Sequence, residues 1–167
     1  SAGLRMLEQL VEDVPGAVVV GDSTQHVYAA CTAFGARRPH GFFCSATGYG
    51  TLGYALPAAI GAALGAKDTP VFGLIGDGGL QFTIGDMASA TEAGTAVHLI
   101  VWNNCGYGEI KTYMLNAGVP PVGVDIFTPQ FEPIAAGFGW AYRRVSSMAG
   151  FREAIASPSG GNEVIEI

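Results

Sequence analysis

The sequence predicts a doubly wound α/β domain, a mainly parallel sheet with helices on both faces. Short continuous apolar runs alternate along the chain with stretches whose apolar residues recur every three or four positions, the alternation of strand and crossover helix that builds such a sheet. Ala17-Val18-Val19-Val20 and Val71-Phe72-Gly73-Leu74-Ile75 carry no polar side chain, as strands buried on both faces of a parallel sheet tend to. Several of the runs lead directly into Gly, Asp, Asn and Ser clusters, and in open parallel sheets ligands bind beyond those carboxyl ends.

The elements follow in order. Leu4, Leu7, Leu10, Val11 and Val14 share one face of a helix over residues 2–14, which Pro15-Gly16 ends. Ala17-Val18-Val19-Val20 reads as a strand running into Gly21-Asp22-Ser23-Thr24-Gln25-His26, where Asp22, Ser23 or Thr24 should cap a helix. A short strand, Phe42-Phe43-Cys44, precedes a segment of small residues over 45–53. Pro57 is tolerated only in a first helical turn, which fixes the next helix start near Tyr54 to Leu56.

The strand Val71-Phe72-Gly73-Leu74-Ile75 ends in Gly76-Asp77-Gly78-Gly79. A crossover helix presents Ile84, Met87, Ala88 and Thr91 on one face, and Gly94 closes it. The strand over residues 96–102 ends in Asn103-Asn104-Cys105-Gly106. A short helix over 107–114 and a long loop over 116–129 follow, and a loop of that length in a compact domain is usually functional. Helix 130–138, strand 140–145, helix 147–156 and strand 163–167 complete the chain.

At 167 residues with 49% hydrophobic composition, the chain supports one domain with a real core. Eight Lys plus Arg against fourteen Asp plus Glu give a net charge of -6, and the basic residues are scattered apart from the pairs Arg37-Arg38 and Arg143-Arg144, which argues against nucleic acid. Cys31, Cys44 and Cys105 form neither a disulfide framework nor a zinc pattern; Cys31 and Cys44 read as small buried hydrophobes, and a reducing cytoplasm is the expected setting. No apolar run is long enough for a membrane span and no leader pattern is present. His98, inside an apolar strand, reads as a hydrogen-bonded core histidine.

The chemistry concentrates in two strand ends. One strand-helix-strand unit separates Asp77 from Asn104, so their side chains can converge. A carboxylate with a neutral amide suits a magnesium ion that also carries phosphate, because magnesium takes about six oxygens and only one or two carboxylates. Gly78 and Gly79 would let backbone N–H groups approach a diphosphate at a helix start. Taken singly, Gly-Asp-Gly is also a tight turn and Asn-Asn a helix cap. Each after a strand, with one crossover between them, they form a more specific pattern.

Gly76-Asp77-Gly78 with Asn103-Asn104 resembles the cofactor motif of thiamine diphosphate-dependent enzymes, specifically the diphosphate-binding domain of the acetolactate synthase and 2-oxo acid decarboxylase family. Gly50-Thr51-Leu52-Gly53-Tyr54-Ala55-Leu56-Pro57 is similar to that family's stretch before the metal motif, and Asp22-Ser23-Thr24-Gln25-His26 resembles its first diphosphate-contacting turn. The resemblance implies that Asp77, Asn104 and the Gly106 carbonyl hold Mg2+. It implies that Gln25, His26, Gly78 and Gly79 contact the diphosphate, with Gly76 and Tyr107 in the same cofactor site. Leu52 would wedge the cofactor into its bent form, and the Gly50 carbonyl would accept a bond from its aminopyrimidine. His26 is alternatively a plain first-turn residue, and Leu52 plain core.

The family's activating glutamate lies on a separate pyrimidine-binding domain, with the active site formed between the two domains in a homo-oligomer. No such domain is recognisable here. No catalytic residue is therefore expected on this chain, which reads as a single diphosphate-binding domain, 1–167, of a longer enzyme or a split subunit. Within the family the sequence looks most like 5-guanidino-2-oxopentanoate decarboxylases; Glu109 or Asp125 would suit a guanidinium, whereas Lys111 reads as solvent-exposed. The competing expectation is a non-catalytic flavodoxin-like module that binds a nucleotide or serves regulation, since doubly wound sheets host many functions.

Overall fold

In the computed structural model, residues 2–167 are described; Ser1, the first residue of the expected domain 1–167, lies outside the described residues. The order is α1 (Ala2–Asp13), β1 (Val18–Gly21), α2 (Gln25–Ala33), β2 (Phe42–Cys44), a 3-10 turn (Ser45–Thr47), α3 (Ala55–Gly65), β3 (Val71–Gly76), α4 (Asp77–Thr83), α5 (Asp86–Ala93), β4 (Val97–Trp102), α6 (Gly108–Asn116), α7 (Phe131–Gly137), β5 (Ala141–Arg144), α8 (Met148–Ala156) and β6 (Glu163–Glu166). The strands form one sheet in the order β2-β1-β3-β4-β6-β5, with every neighbouring pair parallel.

The period of two along each strand divides the core. Val18, Val20, Val71, Ile75, Val97, Leu99 and Val101 face α3, α4, α5 and α7 through Leu56, Leu80, Met87 and Phe131. Val19, Phe72, Leu74 and Ile100 face α1, α2 and α8 through Leu7, Leu10, Val27 and Phe151. Helices thus cover both faces. Gly73 sits on the first of these faces because a Cβ there would lie 2.8 Å from Leu99 Cδ1 and 3.5 Å from Ala59 Cβ of α3.

Three local expectations need correction. The crossover after β3 is two helices rather than one: α4 starts on Asp77 itself, and the chain breaks at Ile84-Gly85, where Met87 N–H bonds to Ile84 O and Ala88 N–H to Gly85 O in tighter three-residue turns. A glycine at the junction weakens the continuous helix that the apolar spacing suggested. His98 is buried, yet its Nδ1 has no hydrogen-bond partner and lies 3.6 Å from Glu163 Oε2. Burial lowers its pKa, so it sits in the sheet as neutral imidazole. Cys44 is buried as expected, but Cys31 is an exposed residue, and its sulfur lies 3.3 Å from that of Cys44.

The topology places a crevice. From β1 the chain crosses through α2 to β2 on one side; from β3 it crosses through α4 and α5 to β4 on the other. The two connections diverge at the carboxyl ends of β1 and β3, and such a switch point is where open α/β sheets bind ligands. Among the described residues no helix is long and apolar enough to cross a membrane.

Candidate functional site

An open cleft of about 630 Å3 lies at this switch point. Gln25 at the start of α2 lines one side, and Gly76, Asp77, Gly78 and Gly79 line the floor. Asn104, Gly106 and Tyr107 close it from the end of β4, and Gly50 and Leu52 approach from the loop before α3. All the cofactor and metal residues expected from the sequence line this one cleft except His26.

Its centre is a set of oxygens. Asp77 is 1% exposed, and its Oδ2 accepts a 2.6 Å hydrogen bond from Thr128 Oγ1, which leaves Oδ1 turned toward Asn104. Either end of the Asn104 amide can face Asp77 Oδ1 and Gly106 O, and the chemistry differs with the end. In one orientation, its oxygen joins Asp77 Oδ1 and Gly106 O with no proton among them; in the other, its nitrogen donates to Gly106 O at 2.8 Å and to Asp77 Oδ1 at 3.3 Å. The first is a ligand set for a hard cation, and the second is a closed hydrogen-bond set.

The turn that carries Asn104 is shaped for this. Cys105 adopts φ +58°, a left-handed conformation uncommon for a residue with a side chain, and its N–H donates to Asn103 Oδ1 at 3.1 Å. Gly106 has no room for a Cβ, which would lie 2.7 Å from Val124 O. Among the described residues no group of three or more His, Cys, Asp or Glu could hold a metal, so a zinc-type centre does not fit. One carboxylate, one amide oxygen and one carbonyl do fit Mg2+, and they leave coordination positions for phosphate oxygens.

Helix α4 starts at the floor of the cleft. Its cap position is Gly76, which has no side chain to satisfy the first amides, so the N–H groups of the first turn remain available to an anion. Gly78 is required by packing: a Cβ there would lie 2.5 Å from the Tyr107 ring.

The turn after β1 does a different job from the capping expected of it. Thr24 holds the cap position of α2 without a side-chain bond. Asp22 is fully buried and accepts from Ser23 N–H at 2.8 Å, Gly53 N–H at 3.2 Å and Ala55 N–H at 2.9 Å. Burial raises its pKa and these amides oppose the shift. Asp22 therefore braces the 50–53 loop against the end of β1. Ser23 Oγ adds a 2.7 Å bond to Gly50 O, and that carbonyl keeps its second lone pair.

His26 does not reach the cleft. Its ring lies in a smaller apolar cavity between α1 and the sheet, 3.7 Å from the Trp102 ring, and burial pushes its pKa down to about 4. The two acids named for substrate contact also separate. Asp125 is paired with Lys111 at 2.6 Å, whereas Glu109 lines the cleft and its shielded Oε2 has no hydrogen-bond partner. Sequence reasoning missed Thr128 and read Ser23 as a cap candidate rather than a partner of Gly50 O; the partners of these two hydroxyls lie 51 and 27 positions away.

Comparison with known proteins bears on this geometry. The family model described as thiamine pyrophosphate enzyme, C-terminal TPP binding domain, matches residues 22–166. A probable 2-ketoarginine decarboxylase of Pseudomonas aeruginosa is 39% identical over 141 residues, 83% of this chain and 25% of that protein. The large subunit of acetolactate synthase isozyme 1 of Escherichia coli is 35% identical over 130 residues, 74% of this chain and 22% of that protein. A solved thiamine diphosphate-dependent 4-hydroxybenzoylformate decarboxylase of Rhodococcus jostii superposes with a TM-score of 0.81 at 31% identity, over 96% of this chain and 31% of that one. The chain spans about a quarter of the length of these curated relatives.

Proposed function

The chain belongs to the thiamine pyrophosphate enzyme family as a C-terminal TPP-binding domain, and from that premise we propose that it anchors the magnesium diphosphate end of thiamine diphosphate within an enzyme acting on 2-oxo acids. The observation that carries the site is the convergence of Asp77 Oδ1, the Asn104 amide and Gly106 O at the switch point. In this reading those three groups hold Mg2+. The first-turn amides of α4 at Gly78 and Gly79, with Gln25, hold the diphosphate. Leu52, half-buried on the cleft wall, supports the bent cofactor, and Gly50 O faces its aminopyrimidine. His26 has no part in it.

When bound, the cofactor supplies an electron sink for decarboxylation or ligation of a 2-oxo acid. This chain's own work is binding, orientation and exclusion of water. Tyr113 on the cleft wall is 70% exposed, and Tyr49, Phe82 and Phe127, on segments adjoining the cleft, are 101%, 63% and 83% exposed. That favours a second, pyrimidine-binding domain over this face, with the chain as one domain of a longer enzyme.

The substrate reading rests on Glu109. A carboxylate oxygen that is shielded and without a partner, inside a cleft, is matched by a cationic substrate tail such as a guanidinium, which donates paired N–H groups to it. Decarboxylation assays of the full-length protein with guanidino, branched and aromatic 2-oxo acids test this. Preference for the guanidino acid that Glu109→Gln abolishes supports the reading; an equal or greater rate on the neutral acids contradicts it.

A further inference from the structure

Glu166, the last residue of β6, is 6% exposed and spends both carboxylate oxygens on neutral donors. Asn103 Nδ2 donates to Oε1 at 2.8 Å and the Tyr142 hydroxyl to Oε2 at 2.6 Å. No ion pair among the described residues includes it. A buried carboxylate without a cation is costly, and an apolar residue of similar size would serve packing alone as well or better. What this carboxylate does beyond packing follows from its partners.

Both oxygens of Glu166 act as acceptors here, one from Asn103 Nδ2 and one from the Tyr142 hydroxyl, so the donor end of the Asn103 amide is the end that faces it. With Nδ2 turned to Glu166, Oδ1 is turned to the Cys105 N–H, 3.1 Å away. That bond closes the turn in which Cys105 takes φ +58°, and the residues on either side of Cys105 are Asn104 and Gly106. The backbone reinforces the link: Asn103 N–H donates to Ile167 O at 3.0 Å, next to Glu166.

We propose that Glu166 is a positioning residue for the metal turn, fixing the Asn103 amide so that the Asn104 amide and the Gly106 carbonyl meet Asp77 in register. The proposal rests on the reading of Asp77, Asn104 and Gly106 as Mg2+ ligands and adds a support outside the cleft. Glutamine at position 166 offers both a donor and an acceptor and no longer dictates the orientation of Asn103.

The test is a Mg2+ titration of the full-length protein at fixed thiamine diphosphate, followed by the fluorescence of Trp102, which lines the cleft beside Asn103, with thermal unfolding in parallel. Glu166→Gln and Asn103→Ala should each raise the Mg2+ midpoint by about 10- to 100-fold, the usual effect of losing a partner that orients a ligand. The double variant should be no worse than the weaker single, because both cut one chain of contacts. Glu163→Gln is the control. It removes an equally buried carboxylate at the far end of the same strand, and should lower the unfolding temperature without moving the midpoint. An unchanged midpoint in Glu166→Gln or Asn103→Ala, or effects that multiply in the double variant, would overturn the proposal. Asn103→Ala cuts the same link from its half-buried end, so the test stands even where Glu166→Gln fails to fold. Asp77→Ala separates the two levels: if it too leaves the midpoint unchanged, the metal site itself is misplaced, whereas if it alone abolishes the response, only the role of Glu166 falls.

Discussion

Thr128 Oγ1 donates a 2.6 Å hydrogen bond to Asp77 Oδ2, so the long loop before α7 is fastened to the aspartate at the centre of the cleft. Gln81 Nε2 adds a 3.2 Å bond to Phe127 O, and Tyr107 N–H bonds to Val124 O at 2.9 Å. The loop is therefore part of the site. It holds one carboxylate oxygen and leaves the other toward Asn104.

Thr128→Val keeps the shape of the side chain and removes the donor. Losing a hydrogen bond to a carboxylate costs about 1 to 3 kcal/mol, and part of that should appear as roughly 10-fold weaker Mg2+ affinity. Amides over 124–128 should also exchange faster with solvent. Thr128→Ser should restore both, and calorimetric titration with hydrogen exchange reads them.

Gly78→Ala would force a methyl into the 2.5 Å approach of the Tyr107 ring. Overpacking of this kind costs about 1 to 3 kcal/mol, and the displaced ring lies in the cleft. Thiamine diphosphate affinity should fall by about 10-fold or more, as measured by titration, and Gly78→Ala/Tyr107→Leu should recover part of it.

The acid limb of stability should depend on His26. Its pKa in the fold is about 4, held down by burial, whereas an unfolded histidine titrates near 6.5. Between those values the unfolded chain takes up a proton that the folded chain refuses, so stability falls as pH drops from about 6.5 to 4, by about 3 kcal/mol in all. His98, lowered by burial, acts in the same direction. Urea unfolding at several pH values should show a shallower acid limb in His26→Phe than in the parent.

Much of the site was legible because it depends on short spacings. Asp77 and Asn104 each follow an apolar strand, and one crossover separates them, so their meeting follows from the parallel sheet alone. The glycines at 78 and 106 stand where a Cβ would meet the Tyr107 ring and Val124 O, close approaches that a glycine in such a turn announces. Side-chain direction was not legible. His26 and Gln25 are neighbours on the first turn of α2, but successive helical residues point about 100° apart, and only Gln25 reaches the cleft. Contacts between distant segments were also hidden: Asp22 with Gly53 and Ala55, Thr128 with Asp77, and Glu166 with Asn103 join parts of the chain that no local pattern relates. The break at Ile84-Gly85 was masked because Met87 and Thr91 continue an apolar spacing that either one helix or two would satisfy.

The central claim is that Asp77, Asn104 and Gly106 form the magnesium clamp for a diphosphate cofactor. Calorimetric titration of thiamine diphosphate into the full-length protein, with Mg2+ and with a chelator, in the parent and in Asp77→Ala, tests it most directly. Binding that requires Mg2+ in the parent and disappears in the folded Asp77→Ala protein is the predicted result. Equal binding by both proteins, or binding indifferent to the chelator, would contradict it.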